Sequence, residues 1–156
     1  KSPLILRDID LLSQIKCMIT ISISSLDNQV VRIFEPEVPS PYDRLQTIQT
    51  LRNQGINTGL ALIPMLPYIV ESELESIVKA ARGVDAQYLL HKHLELKGDL
   101  ERFFRNVIEV HYPHLLPKYD SLYDNNFNPQ SDYIKELNDI LSGYCKKFKI
   151  SDKITK

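Results

Sequence analysis

Two histidines one residue apart, in His91-Lys92-His93, are the side chains best spaced to share a ligand. Alternate residues of an extended strand point the same way, so both imidazoles would lie on one face, and imidazole is a common zinc ligand. No third ligand stands at a recognisable spacing, and ordinary hydrogen bonding is the competing reading. A second set is hydroxylic. Thr20, Ser22 and Ser24 alternate with Ile19, Ile21 and Ile23 through Met18–Leu26, making one strand face polar and the other branched aliphatic. Asp27 and Glu35 follow that strand; their carboxylates could act as general acid or base, or could cap a helix or pair with a cation. Arg7 beside Asp8 reads as a local ion pair, with a clamp for a substrate carboxylate as the sharper alternative. His111 and His114 flank Pro113, where a cation near a helix carboxyl end suffices to explain them.

The elements that must position these residues alternate strand and helix. A short helix over Asp8–Lys16 precedes a first strand, Met18–Leu26. Ser40, Pro41 and Asp43 form a capping box ahead of a helix that buries Leu45, Ile48 and Leu51 and ends at Gly55. A second strand, Ile56–Ile63, sets Gly59, Ala61 and Ile63 against Thr58, Leu60 and Leu62. Ser72 and Glu75 form the next capping box, before a helix that buries Leu74, Ile77, Val78 and Ala81 and stops at Gly83. Asp85–His93 is the third strand. Asp99 caps a helix with Leu100, Phe103, Phe104, Val107 and His111 on one stripe. A short helix near Leu115–Tyr123 and a last one over Pro129–Phe148 complete the chain, the last burying Tyr133, Leu137, Ile140, Tyr144 and Phe148. The tail tyrosines, Tyr112, Tyr119, Tyr123, Tyr133 and Tyr144, read as core residues.

Strands alternating with helices imply an α/β fold with a parallel sheet. Three strands cannot close a barrel, which takes about eight units and about 250 residues. The expected fold is therefore a partial (βα) half-barrel of the TIM type over residues 1–95, a helical extension over 96–150 and a disordered tail over 151–156. A parallel strand buried on both faces is normally an unbroken aliphatic run. Here one face stays polar or small along two successive strands, as a concave surface facing a ligand requires, with Gly59 and Ala61 making room for a flat group. Ligands in such folds sit beyond the carboxyl ends of the strands, here Ser24–Asp27, Ile63–Pro67 and His91–Leu94.

Bulk properties exclude several classes. At 156 residues with net charge −1, the chain has no global field favouring nucleic acid or an anionic membrane. No run is long enough to span a membrane. Cys17 and Cys145 stand far apart, which excludes a zinc knuckle or disulfide framework and points to a reducing, cytoplasmic setting. Gly-rich phosphate loop, nucleophile elbow and HExxH motif are all absent, against a Rossmann, P-loop or hydrolase assignment. The opening Lys-Ser-Pro, close to a helix, reads as a piece of something longer.

The string Lys1-Ser2-Pro3-Leu4-Ile5-Leu6-Arg7-Asp8 resembles a segment of radical S-adenosylmethionine (SAM) proteins in the spore photoproduct lyase-like group. The resemblance continues through Ser22-Ile23-Ser24, Phe34-Glu35-Pro36, Arg44, Gly55, the Pro64–Pro67 turn, His111-Tyr112-Pro113 and Asn125–Pro129. It implies the carboxyl-terminal part of a partial barrel whose missing amino-terminal half is the first partner. That half would carry the Cys-x3-Cys-x2-Cys that holds a [4Fe–4S] cluster, where SAM is cleaved to a 5′-deoxyadenosyl radical. By the same resemblance Lys1, Ser22, Ser24 and Ile63 belong to the SAM site, Ser22 at the ribose and Ile63 at the adenine, and nucleic acid is a partner class. The cluster cysteines are absent from this chain, so it would be inactive alone. Two other readings stand beside this one: a non-catalytic scaffold that docks a partner, and a βα-barrel enzyme using His91 and His93 for a metal.

Overall fold

The computed structural model describes residues 2–154; Lys1, one of the expected SAM contacts, lies outside them. A 3-10 helix, Pro3–Asp8, runs into α1 (Ile9–Ser13), which is shorter than the helix expected over Asp8–Lys16. Strand β1 (Met18–Ser22) follows, then α2 (Asn28–Phe34), α3 (Pro41–Asn53), β2 (Asn57–Met65), α4 (Leu74–Gly83) and β3 (Leu89–His93). The chain closes with α5 (Asp99–His111), α6 (Leu116–Tyr123) and α7 (Ser131–Phe148). The three strands form one parallel sheet in the order β1-β2-β3. The fold is thus α/β, and strand order follows chain order.

Local signals explain most boundaries. Ser40 accepts from the Asp43 amide while the Asp43 carboxylate accepts from the Ser40 amide, and Pro41 takes the first helical position of α3, as the capping box predicts. Gly55 ends that region at φ 75°, where a side chain would be strained. The box expected at Ser72 and Glu75 does not form. Its acidic neighbours are engaged elsewhere, Glu73 by Ser25 and Leu26 and Glu71 by Tyr68, and the chain enters α4 through a 3-10 turn, Glu71–Glu73. Gly98 rather than Asp99 precedes α5 as its cap. Helix α2 has no counterpart in the sequence reading. Asp27 caps it through the Gln29 amide, and its Val30-Val31 pair masks the helical signal because β-branched residues favour strands.

One face of the sheet is packed by helices. Ile19, Ile21, Thr58, Leu60, Leu62 and Leu89 are buried on it, against Ile48 and Leu51 of α3 and Ile77, Val78 and Ala81 of α4. The register pairs Ile21 with Leu60 and Leu60 with Leu89, which keeps these aliphatic side chains on one side. Helix α7 joins this layer beside α4. Its buried stripe is Leu137, Leu141 and Cys145; Ile140, expected inside, is 40% exposed, because the helix is rotated to bring Asn138 over β3. The Ser151 carbonyl accepts from the Leu89 amide at 2.8 Å on the outer edge of β3, so backbone pairing reaches into the segment expected to be a disordered tail.

Candidate functional site

The opposite face of the sheet carries Thr20 and Ser22 from β1, Gly59, Ala61 and Ile63 from β2, and Tyr88 and Leu90 at β3. Its two ends differ. At the amino end the Tyr88 ring lies over Gly59 so closely that a Cβ there would overlap it. The Tyr88 hydroxyl reaches Thr20 Oγ1 at 2.7 Å and the Ile19 carbonyl at 3.3 Å. This corrects the expectation that Gly59 leaves room for a flat ligand: the space belongs to a tyrosine from the same sheet. Beside this ring the face is partly open, with Thr20 exposed and Ala61 buried. Ser22 is half-buried, Ile63 is 36% exposed, and Ser22 Oγ donates to the Ile63 carbonyl at 2.9 Å.

Each strand's carboxyl end is held by a buried polar group. Arg44, whose side chain is fully buried, donates to the Ser22 carbonyl (3.0 Å), the Pro39 carbonyl (2.9 Å) and Glu35 Oε2 (2.9 Å). It thereby ties β1, the loop after α2 and the start of α3 to one planar guanidinium, whose rigid fork suits several directed bonds. Glu73 accepts from Ser25 Oγ (2.8 Å) and the Leu26 amide (2.7 Å), fixing the loop beyond β1. From α6, Tyr119 donates to the Pro67 carbonyl (2.5 Å) and Tyr123 to the Leu94 carbonyl (2.9 Å). Burial raises both phenols far above the ordinary tyrosine range, so they remain donors at any physiological pH. Tyr119 and Tyr123 thus have the core role expected of the tail tyrosines and also position the loops, whereas Tyr112, Tyr133 and Tyr144 are only partly buried against the core.

A cavity of about 200 Å³ opens where these ends converge. Ser24, Pro64 and Leu94 contribute to its wall, one residue from each of the three strand-end segments singled out in the sequence. Helix α5 supplies the far wall with Phe103, Phe104 and Val107. Ser24 is 1% exposed, and its hydroxyl has no hydrogen-bonding partner.

The remaining sequence candidates fall into ordinary roles. Asp27 caps α2 and Glu35 pairs with Arg44. Arg7 and Asp8 make a two-bond ion pair at the surface. His91 and His93 face α7, and each places Nε2 2.9 Å from Asn138 Oδ1. Both Nδ1 atoms are buried without partners. A metal on Nε2 would force a proton onto each Nδ1, where it would find no acceptor, whereas ligating imidazoles normally donate that proton. Donation from Nε2 to Asn138 leaves Nδ1 as the unprotonated nitrogen, which fits the burial better. Among the described residues no group of three His, Cys, Asp or Glu could hold a metal ion. Cys145 is buried in α7 with its thiol pushed up to about 11 by burial, and half-buried Cys17 donates to the Leu12 carbonyl before β1, at the opposite sheet end from the cavity. Neither fits a [4Fe–4S] cluster, which needs grouped thiolates. Arg44, Glu73 and Tyr119, which build the site, were missed as a set because each acts on a backbone group or loop distant in sequence. No helix among the described residues is long and apolar enough to cross a membrane.

The chain is 32% identical over 105 residues to an uncharacterized protein of Acidianus two-tailed virus, covering 63% of this chain and 35% of that protein. It is 22% identical over 157 residues to an uncharacterized protein of Mycobacterium tuberculosis, covering 97% and 46% respectively. With an uncharacterized protein of Methanocaldococcus jannaschii the identity is 27% over 114 residues, 72% of this chain and 42% of the relative. The matched segments therefore span less than half the length of these relatives. No family model matches it. No solved structure matches it.

Proposed function

We propose that this chain is the carboxyl-terminal part of a partial (βα) barrel in a radical SAM enzyme similar to spore photoproduct lyase. The observation that carries the reading is the open carboxyl half of the inner sheet face, where Ser22 and Ile63 meet. These are the two described residues that the resemblance assigns to ribose and adenine. The Ser22 proton is committed to the Ile63 carbonyl, so its oxygen lone pairs remain to accept from a ribose hydroxyl. Exposed Ile63 offers an apolar surface to the adenine ring, and Ala61 keeps the floor low. Sequential strand order and relatives about twice as long are both in keeping with a barrel continued by further units.

SAM, when bound, supplies the sulfonium whose reductive cleavage gives a carbon radical. The residues of this chain bind and orient its nucleoside; the cluster that reduces it has no ligands here. Arg44 holds the Ser22 carbonyl and so fixes the height of the Ser22 side chain. Glu73 and Tyr119 keep the adjoining loops from collapsing onto the face.

The test is equilibrium titration of the intact protein with SAM. Saturable binding that Ser22→Ala weakens by about two- to tenfold, the share of one hydrogen bond, supports the reading. Absence of SAM binding in the intact protein overturns it and leaves the docking scaffold.

A further inference from the structure

We propose that the cavity between the strand ends and α5 binds a small uncharged ring bearing one hydroxyl or amide group that Ser24 recognises. Four observations carry this. Its volume, about 200 Å³, exceeds that of an engineered apolar cavity of about 150 Å³ that takes up benzene, so one substituted ring fits. Its wall is mostly aliphatic and aromatic, with Phe104 and Val107 facing Pro64 and Leu94. The one carboxylate on the wall, Glu35, is already paired with the fully buried Arg44, so a charged ligand would be desolvated with no counter-charge offered to it. The Ser24 hydroxyl, buried and unpartnered, marks the point where a ligand's polar group belongs. A bound donor or acceptor would give this hydroxyl a partner. Phe103, 64% exposed at the rim, is placed to cover the ring once it is in. Ser24, which the resemblance also gives to SAM, lines this cavity, so the ring site adjoins the proposed SAM face; ring binding without SAM tests it separately.

Phenol, toluene and benzoate are the probes, titrated into the intact protein by calorimetry and ligand-observed NMR without SAM. Phenol saturates the wild-type site, toluene binds more weakly, and benzoate does not bind. Ser24→Ala weakens phenol by about two- to tenfold and leaves toluene unchanged. Val107→Phe fills the space and abolishes binding of both rings. Should that variant misfold, Phe103→Ala serves instead, since its exposure lets the fold survive while the cover is lost and phenol affinity falls. Phenol that fails to saturate, or binds Ser24→Ala and Phe103→Ala as it binds the wild type, overturns the proposal. These outcomes leave the SAM titration untouched.

Discussion

Leu62 and Ile63 are neighbours on β2, yet one is sealed among helices and the other stands 36% exposed on the inner face. The whole sheet repeats this contrast. Its outer face is mostly aliphatic and covered by α3, α4 and α7; its inner face mixes Thr20, Ser22, Gly59, Ala61 and Tyr88 with Ile63 and Leu90, and Thr20 and Ile63 stay exposed on it although Tyr88 covers Gly59. Burying aliphatic surface is what stabilises the first face. The second contributes little to stability at its carboxyl half, which leaves those residues available for a ligand. Stability and site are thereby assigned to alternating positions of the same strands, a division that period-two geometry makes natural.

Four measurements test the contrast. Arg44 sits where the two regions meet. Arg44→Ala removes the cation paired with Glu35 and the donor to the Ser22 and Pro39 carbonyls, and should cost about 3–5 kcal/mol in chemical denaturation. A loss near zero would mean that the inner strand ends hold themselves. Next, Leu62→Ala should cost about 2–5 kcal/mol while Ile63→Ala costs under about 1 kcal/mol, and equal losses would erase the distinction between faces.

Gly59→Ala comes third. The added methyl meets the Tyr88 ring, which is held by Thr20 and the Ile19 carbonyl, so overpacking should cost about 1–3 kcal/mol by thermal or urea melts. A neutral result would mean that the ring swings away and that the amino half of the face is open too. The smallest effect is expected on the outer side of β3. Burial holds the His93 imidazole below its ordinary value, with Asn138 opposing and His91 reinforcing the shift; Tyr133 and its partner Glu71 lie on the same side. The folded protein therefore binds this proton less readily than the unfolded chain does. Its contribution to stability is complete above about pH 6.5 and is lost as pH falls through the lower folded value. Thermal melts between pH 7.5 and 5 should show a decline that His93→Gln reduces; an identical slope in the variant would place the acid sensitivity elsewhere.

Local order in the sequence was enough for the α/β class, the three strands, the Ser40–Asp43 cap and the strand ends where the cavity lies. Each depends on period, cap chemistry or chain order, which residues a few positions apart decide among themselves. Alternation in β1 and β2 likewise announced one polar face and one apolar face. Its meaning did not follow. Tyr88 fills the space that Gly59 was expected to offer, and no local rule links residues 29 positions apart across a parallel pairing. The same holds for Arg44 on Ser22, Glu73 on Ser25 and Asn138 between two histidines, contacts that bridge 22 to 48 positions. Helix α7 shows the limit within one element: its periodicity predicted a buried stripe, but only docking against α4 and β3 chose Leu137, Leu141 and Cys145 over Ile140. What the chain settled alone was which residues become strand or helix and which strand face is polar. Whether that polarity is spent inside the protein or left for a ligand was decided by packing, because only distant side chains can fill or spare a space between elements.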